Sequence, residues 1–259
     1  MLKKFIASIL LIVNSQNIEL FASNEDEQNL TKLAKAYPTF IKSFSNNKIF
    51  FIDNDEMNYD DGIKDKTFEE MLNNPSLKDQ LSIKYIRIDE NPNYIPKRNE
   101  DAGRIRYEAF FKKMYGSNQK EIKKNLTKII WLPKTSNKTL LVTTINDVHK
   151  KLQAISDELD LLPIELKSFV DNPAGVTNYR KISKTNRLSS HSFGIAIDIN
   201  VKNSDYWQWH NKNELVTYKN KIPLEIVKIF EKHGFIWGGR WYHYDTMHFE
   251  YRPELLIGK

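Results

Sequence analysis

The 259-residue chain contains no cysteine, so disulfides and thiolate metal sites are both excluded. Any metal site must be built from His, Asp and Glu. No stretch approaches the roughly twenty apolar residues of a transmembrane helix; the run Phe5–Val13 stops at nine. A strong excess of one charge is missing too. Lys and Arg total 39 against 33 Asp and Glu, for a net charge of +6 and a pI near 9.1. No Arg/Lys block with interleaved aromatics occurs, so a nucleic-acid partner is not expected. Internal repeats and low-complexity linkers are absent as well. With 40% hydrophobic and 28% charged residues, the chain has an ordinary globular balance and enough length for a full core.

The N-terminus reads MLKKFIASILLIVNSQNIELFASNED. Lys3 and Lys4 precede the apolar run, and small residues follow at Ser15 and at Ala22–Ser23, the order of a secretory signal peptide. Residues 1–22 are therefore expected to be a signal peptide, cleaved after Ser15 or Ala22. The mature protein is expected to be exported, soluble and monomeric, with no membrane span.

Residues 23–100 form a polar, Asn- and acid-rich N-terminal extension to which no motif assigns a role. The islands NKIFFID (47–53) and LSIKYIRID (81–89) predict strands, and TFEEMLNNPSLKDQL predicts helical pieces. DNDEMNYDDG breaks calcium-loop spacing at Met57 and Asn58 and reads as a solvated acidic loop. Further on, AGRIRYEAFFKKMYG (102–116) predicts an amphipathic helix stopped by Gly116, and KTLLVTTI (138–145) a strand. Asn146 or Asp147 then caps a helix whose stripe is Val148, Leu152, Ile155 and Leu159, with His149 off the stripe and exposed. IPLEIVKIFEKHGF (222–235) predicts another helix, with Pro223 in its first turn and Gly234 at its end. Ile226 and Phe230 face inward, and His233 meets the negative end of the helix dipole.

Two stretches carry chemistry. In SSHSFGIAIDIN (189–200), Ile195, Ile197 and Ile199 alternate with Ala196, Asp198 and Asn200, and His191 stands at the entrance to this strand. A carboxylate in so apolar a neighbourhood is costly unless something positive pairs with it. In GFIWGGRWYHYDTMHFEYRPE (234–254), His248 opens an alternating run and Asp245 lies three residues earlier. Strand residues three apart point to opposite faces, so Asp245 can join His248 only from a turn or bulge. His191, Asp198 and His248 are thus candidate zinc ligands, with a fourth position left to water and room for ion and substrate beside Gly194 and Ala196. Asp245 is the candidate general base, and Arg180, in GVTNYRKI, a candidate oxyanion donor. His243 is the alternative ligand and Glu250 the alternative base. Trp237, Trp241, Tyr242 and Tyr244 are candidate walls of the site or members of the core.

These stretches closely resemble the zinc peptidases comprising D-alanyl-D-alanine carboxypeptidases and L-alanyl-D-glutamate peptidases. The signature is S-x-H-x6-D followed by (D/E)-x-x-H; Ser189, His191 and Asp198 fill its first half, and Asp245 and His248 its second. The resemblance implies His191, Asp198 and His248 as zinc ligands, Asp245 as catalytic base and Arg180 as the substrate-polarising arginine. It implies an α+β fold of the D-Ala-D-Ala peptidase or hedgehog-like kind, with a small antiparallel sheet carrying the zinc site and helices packed outside. Asp at the base position is what the L-alanyl-D-glutamate branch tends to carry. The motif core spans 175–254, within a zinc peptidase domain expected at 101–259. The implied substrate is a peptidoglycan stem peptide, cut next to a D-amino acid as an L-Ala-D-Glu endopeptidase or a D-Ala-D-Ala carboxypeptidase would cut it, in a bacterial periplasm or cell wall. A zinc-stabilised binding module without turnover is the alternative, and Asp245 speaks against it, because a ligand-only site needs no acid beside the metal.

Overall fold

Short strands separated by capped helices give three small antiparallel sheets in an α+β arrangement; the computed structural model describes residues 24–210 and 216–258. The expected signal peptide lies outside the described residues. The first sheet is a meander of β1 (Ile41–Ser45), β2 (Lys48–Phe51) and β3 (Glu56–Asn58), behind the helix Asn24–Ala36. β2 is the strand expected within 47–53. The acidic stretch after it, expected as a solvated loop, instead contains β3 paired to β2, and Lys113 pairs with both Asp53 and Asp55.

TFEEMLNNPSLKDQL forms two helices, Phe68–Asn73 and Leu77–Leu81, on either side of Pro75. Each starts with a reciprocal capping box, Thr67 with Glu70 and Ser76 with Asp79. The strand expected at 81–89 is absent. Tyr85 and Ile88 are buried, but the Ile88 N–H donates to the Glu231 carboxylate at 3.0 Å and the Tyr85 hydroxyl donates to it at 2.8 Å. A side chain thus satisfies backbone that a ladder would otherwise take up.

The helix expected at 102–116 begins only at Glu108 and runs to Tyr115, with Gly116 ending it. The turn before it passes too close to its neighbours for a side chain. Gly103 has φ +96°, and a Cβ there would sit 2.4 Å from Ile236 Cδ1. That turn, outside the helix, carries Arg104 and Arg106.

β4 (Leu126–Trp131) and β5 (Lys138–Thr143) form a hairpin against the helix Val148–Leu159, whose predicted stripe is buried. Its cap differs from expectation. Asp147 holds the cap position at φ +56° without a side-chain capping bond and pairs with Lys150 instead, while Asn146 donates to the Tyr115 hydroxyl. His149 is half-buried rather than exposed, and its Nδ1 has no hydrogen-bond partner among the described residues. The helix Leu224–Lys232 buries Ile226 and Phe230, and His233 at its C-cap also pairs with Glu158 at 2.6 Å.

The third sheet carries the motifs. β6 (Pro173–Gly175), β7 (Ala196–Asn200), β8 (Phe235–Trp237) and β9 (His248–Tyr251) lie in the order β6-β7-β9-β8, all antiparallel. Phe249 anchors β9 to the core by stacking on Phe230 at 3.8 Å between ring centroids and on Trp237 at 6.3 Å. A buried side chain of this size contributes about 1.5–3 kcal/mol. One hydrophobic cluster runs from Leu30 to Tyr251, so the N-terminal extension shares a core with the motif region.

Candidate metal centre

Strand register makes the site. β7 and β9 pair with Asp198 directly opposite His248, which puts the two side chains on the same face. His191 comes from the 3-10 turn Ser190–Phe193, capped by Ser189, whose hydroxyl accepts the His191 N–H. Gly194, at φ +69°, turns the chain from there into β7.

One donor atom from each of His191, Asp198 and His248 lies within 4.8 Å of the other two. Asp198 Oδ1 is 3.1 Å from His191 Nε2 and 2.9 Å from His248 Nδ1, and those two nitrogens are 3.2 Å apart. The opposite nitrogens are held from behind. His191 Nδ1 donates to the Val176 carbonyl at 2.7 Å, and His248 Nε2 donates to Glu250 at 3.1 Å, with Ser190 Oγ 3.3 Å away. Such backing fixes which nitrogen each ring presents to an ion. Two imidazoles and one carboxylate, oriented in this way, suit zinc with an open fourth position. The donor set fits the group.

Charge at the centre follows from the same contacts. Burial disfavours the ionised Asp198, yet hydrogen bonds from His191 and His248 overcome it and hold the carboxyl far below its usual range. Burial likewise disfavours the His248 imidazolium, but Asp198 and Glu250 on either side lift it to about 10.

Asp245 sits on the turn that leads into β9, as the spacing required. Its N–H donates to Gly238 O at 3.0 Å, and the His248 N–H donates to Asp245 O at 3.1 Å. A Cβ at residue 238 would lie 2.4 Å from Asp245 O, so only glycine allows this approach. Burial, then the charge of Asp198, pushes the Asp245 carboxyl up to about 6. Its Oδ1 is buried with no hydrogen-bond partner among the described residues.

Arg180 is brought to the rim rather than into the cluster. Its N–H donates to Ser192 Oγ and its carbonyl accepts the Ser189 N–H, each at 3.0 Å, which ties its backbone to the His191 turn. The side chain is exposed. His243 is not a member of the cluster: its Nδ1 is held by Asp101 at 2.6 Å, and its ring packs near Phe68 and Trp207. Glu250 lies behind His248, on the side away from Asp198, fully buried between Arg106 and Arg252. Of the four aromatics, Trp241 walls the site, 5.5 Å from the His248 ring, whereas Trp237 packs into the core on Phe249. Tyr242 lies edge-on to His243, and Tyr244 is buried against Tyr218.

Sequence reasoning missed the buried chain behind the ligands. Arg252 joins Glu250 at 2.9 Å to Glu254 at 2.6 Å, and Glu254 accepts the Tyr37 hydroxyl at 2.6 Å. The alternation of HFEYRPE gives a signal for Glu250 on the His248 face. Nothing local points to Arg106 or Tyr37, which arrive from 144 and 217 residues away from their partners.

Comparison with models of protein families matches residues 183–251 to a family described as D-alanyl-D-alanine carboxypeptidase, a zinc peptidase family. This is the family that the two motifs resemble. The matched segment holds His191, Asp198, Asp245 and His248 but neither Arg180 nor the N-terminal extension, and it supports a metallopeptidase. Neither the curated proteins nor the solved structures contain a match.

Proposed function

We propose that this chain is an exported, zinc-dependent peptidase that hydrolyses a peptide bond next to a D-amino acid in peptidoglycan stem peptides. The observation that carries the reading is the convergence of His191, Asp198 and His248 within 4.8 Å, with the half-buried carboxylate of Asp245 beside them, whose Oδ1 has no hydrogen-bond partner among the described residues. His191 Nε2, Asp198 Oδ1 and His248 Nδ1 would hold the ion. Zinc there supplies Lewis acidity, polarising an amide carbonyl and acidifying a water. Asp245, with its carboxyl raised toward neutrality, takes a proton from the attacking water and hands one to the departing amine. Arg180 offers a cation at the rim for charge that develops on the carbonyl oxygen.

Digestion of purified peptidoglycan, with mass spectrometry of the new termini, tests this directly. New amino termini at D-Glu assign L-Ala-D-Glu endopeptidase action, loss of a terminal D-Ala assigns carboxypeptidase action, and zinc binding without either product leaves a binding module. Export is tested by N-terminal sequencing of the mature protein, which should start after Ser15 or Ala22.

A further inference from the structure

A second extended segment runs alongside the turn that carries Asp245. Tyr206 and Asp245 form an isolated antiparallel bridge. It is closed by the Trp207 N–H to the Tyr244 carbonyl and by the Thr246 N–H to the Asp205 carbonyl, each at 2.9 Å. Because those bonds join the flanking residues, Tyr206 and Asp245 are a non-hydrogen-bonded pair. That arrangement brings opposite Cα atoms to about 4.5 Å and puts both side chains on one face. Thr246 locks the register: its Oγ1 accepts the Asp205 N–H at 2.7 Å and donates to the Asp205 carbonyl at 3.0 Å. The rule that sets Asp198 against His248 thus sets a phenol against the candidate base.

The ring is held on its flanks, and its hydroxyl lies in the field of the site. Trp209 meets the half-buried Tyr206 ring edge-on at 5.8 Å between centroids, and Trp207 meets it at 6.2 Å. The charges that act on the hydroxyl are the Asp245 carboxylate and, with opposite sign, the guanidinium groups of Arg104 and Arg180. Burial, then Asp245, raises the Tyr206 pKa above its ordinary value, so the phenol keeps its proton at neutral pH. Asp245 Oδ1 does not take up this donor, since it has no hydrogen-bond partner among the described residues. A neutral O–H beside the base, within the influence of Arg180, is placed for charge that appears only during the reaction.

We propose that Tyr206 is a further catalytic residue, whose phenol donates a hydrogen bond to the scissile carbonyl oxygen as that oxygen becomes negative. This rests on the proposed peptidase function. When water adds to the amide carbon, its proton passes to the Asp245 carboxylate and the carbonyl π electrons move onto oxygen. The Tyr206 O–H meets that oxyanion and keeps its own proton. Collapse restores the C=O bond and breaks the C–N bond, and the departing nitrogen takes the proton from Asp245. The new carboxylic acid then gives its proton to the freed amine. Tyr206 therefore acts on the transition state rather than on ground-state binding.

The test compares the wild type with Tyr206→Phe, both full-length and zinc-loaded, by calorimetry. The probes are uncleavable analogues of D-Ala-D-Ala and L-Ala-D-Glu peptides, each made as a phosphinate and as a reduced amide (CH2–NH). The phosphinate puts a tetrahedral, negatively charged centre where the amide carbon stands, whereas the reduced amide has no oxygen there. Tyr206→Phe should weaken phosphinate binding about ten- to hundredfold, the worth of one hydrogen bond to a charged group. Reduced-amide binding, zinc content and circular dichroism should stay as in the wild type. On peptidoglycan, kcat should fall about 10²–10³-fold with KM unchanged. Equal weakening of both analogues would make Tyr206 a wall of the site, and unchanged phosphinate binding would show that it does not meet the oxygen. Either result overturns the proposal. Should Tyr206→Phe fail to fold, Tyr206→Leu removes the hydroxyl and carries the same comparison. Failure of the peptidase reading looks different: the wild type itself leaves both native amides uncut, and the proposal falls with it.

Discussion

His248 sits between two carboxylates, with Nδ1 2.9 Å from Asp198 and Nε2 3.1 Å from Glu250. The first contact marks where the proposed ion would be held, and the second fixes the ring that would hold it. The strand makes this possible, because His248 and Glu250 lie two residues apart on one face of β9 while Phe249 points into the core.

Replacing either histidine with Ala should cost the site its ion. Zinc content, measured by atomic absorption, is expected to be roughly one per chain in the wild type and well below that in purified His191→Ala and His248→Ala. The His248 variant should also be less stable, because it leaves Asp198 and Glu250 without their shared partner. Full zinc content in either variant would point to another ligand.

Glu250→Gln tests the support behind the ring. Burial opposes the Glu250 carboxylate, but Arg106, His248 and Arg252 hold its carboxyl well below the ordinary range. A depressed native pKa stabilises the fold above the unfolded-state value near 4.5, and that stabilisation is lost as pH falls through the native pKa. The variant should therefore be less stable at pH 7, by about 3–5 kcal/mol for a buried group that leaves cations unpaired. In thermal melts its gap to the wild type should narrow in acid. Zinc affinity should drop about 10–100-fold. A gap independent of pH would contradict this role.

Tyr37→Phe probes the coupling of the N-terminal extension to the site. The Tyr37 hydroxyl donates to Glu254, which holds Arg252, which holds Glu250. Removing this donor from a buried carboxylate should cost about 1–3 kcal/mol in denaturant unfolding, with a single transition. A separate early transition for the extension would show that it folds apart from the rest.

Arg180→Ala should lower kcat more than it changes zinc content, because an oxyanion donor acts on charge that appears only in the transition state. The loss expected in steady-state kinetics is about 10²–10³-fold. Unchanged kinetics would return Arg180 to an exposed arginine with no role in turnover.

The candidate centre was legible because its parts are local. Strand alternation placed Asp198 and His248 on strands, and their spacing from His191 and Asp245 fell within short stretches. Tertiary pairing decided what the sequence could not show. Residues 81–89 have the composition of a strand, but the carboxylate of Glu231 takes up the Ile88 N–H. Residues 102–107 continue a helical pattern, but Gly103 packs against Ile236 and breaks it. Glu250 was visible as a neighbour of His248 and was considered as a base; only its burial between Arg106 and Arg252 shows it as a support.

Turnover by Asp245→Asn on peptidoglycan tests the proposed peptidase centre most directly. The substitution keeps shape and volume, removes the charge and leaves His191, Asp198 and His248 in place. The variant is expected to be folded and zinc-loaded, with hydrolysis reduced by about 10²–10⁴-fold through loss of the general base. Loss of zinc together with activity would make Asp245 a fourth ligand of a closed, structural site. Wild-type activity would contradict its role as the base.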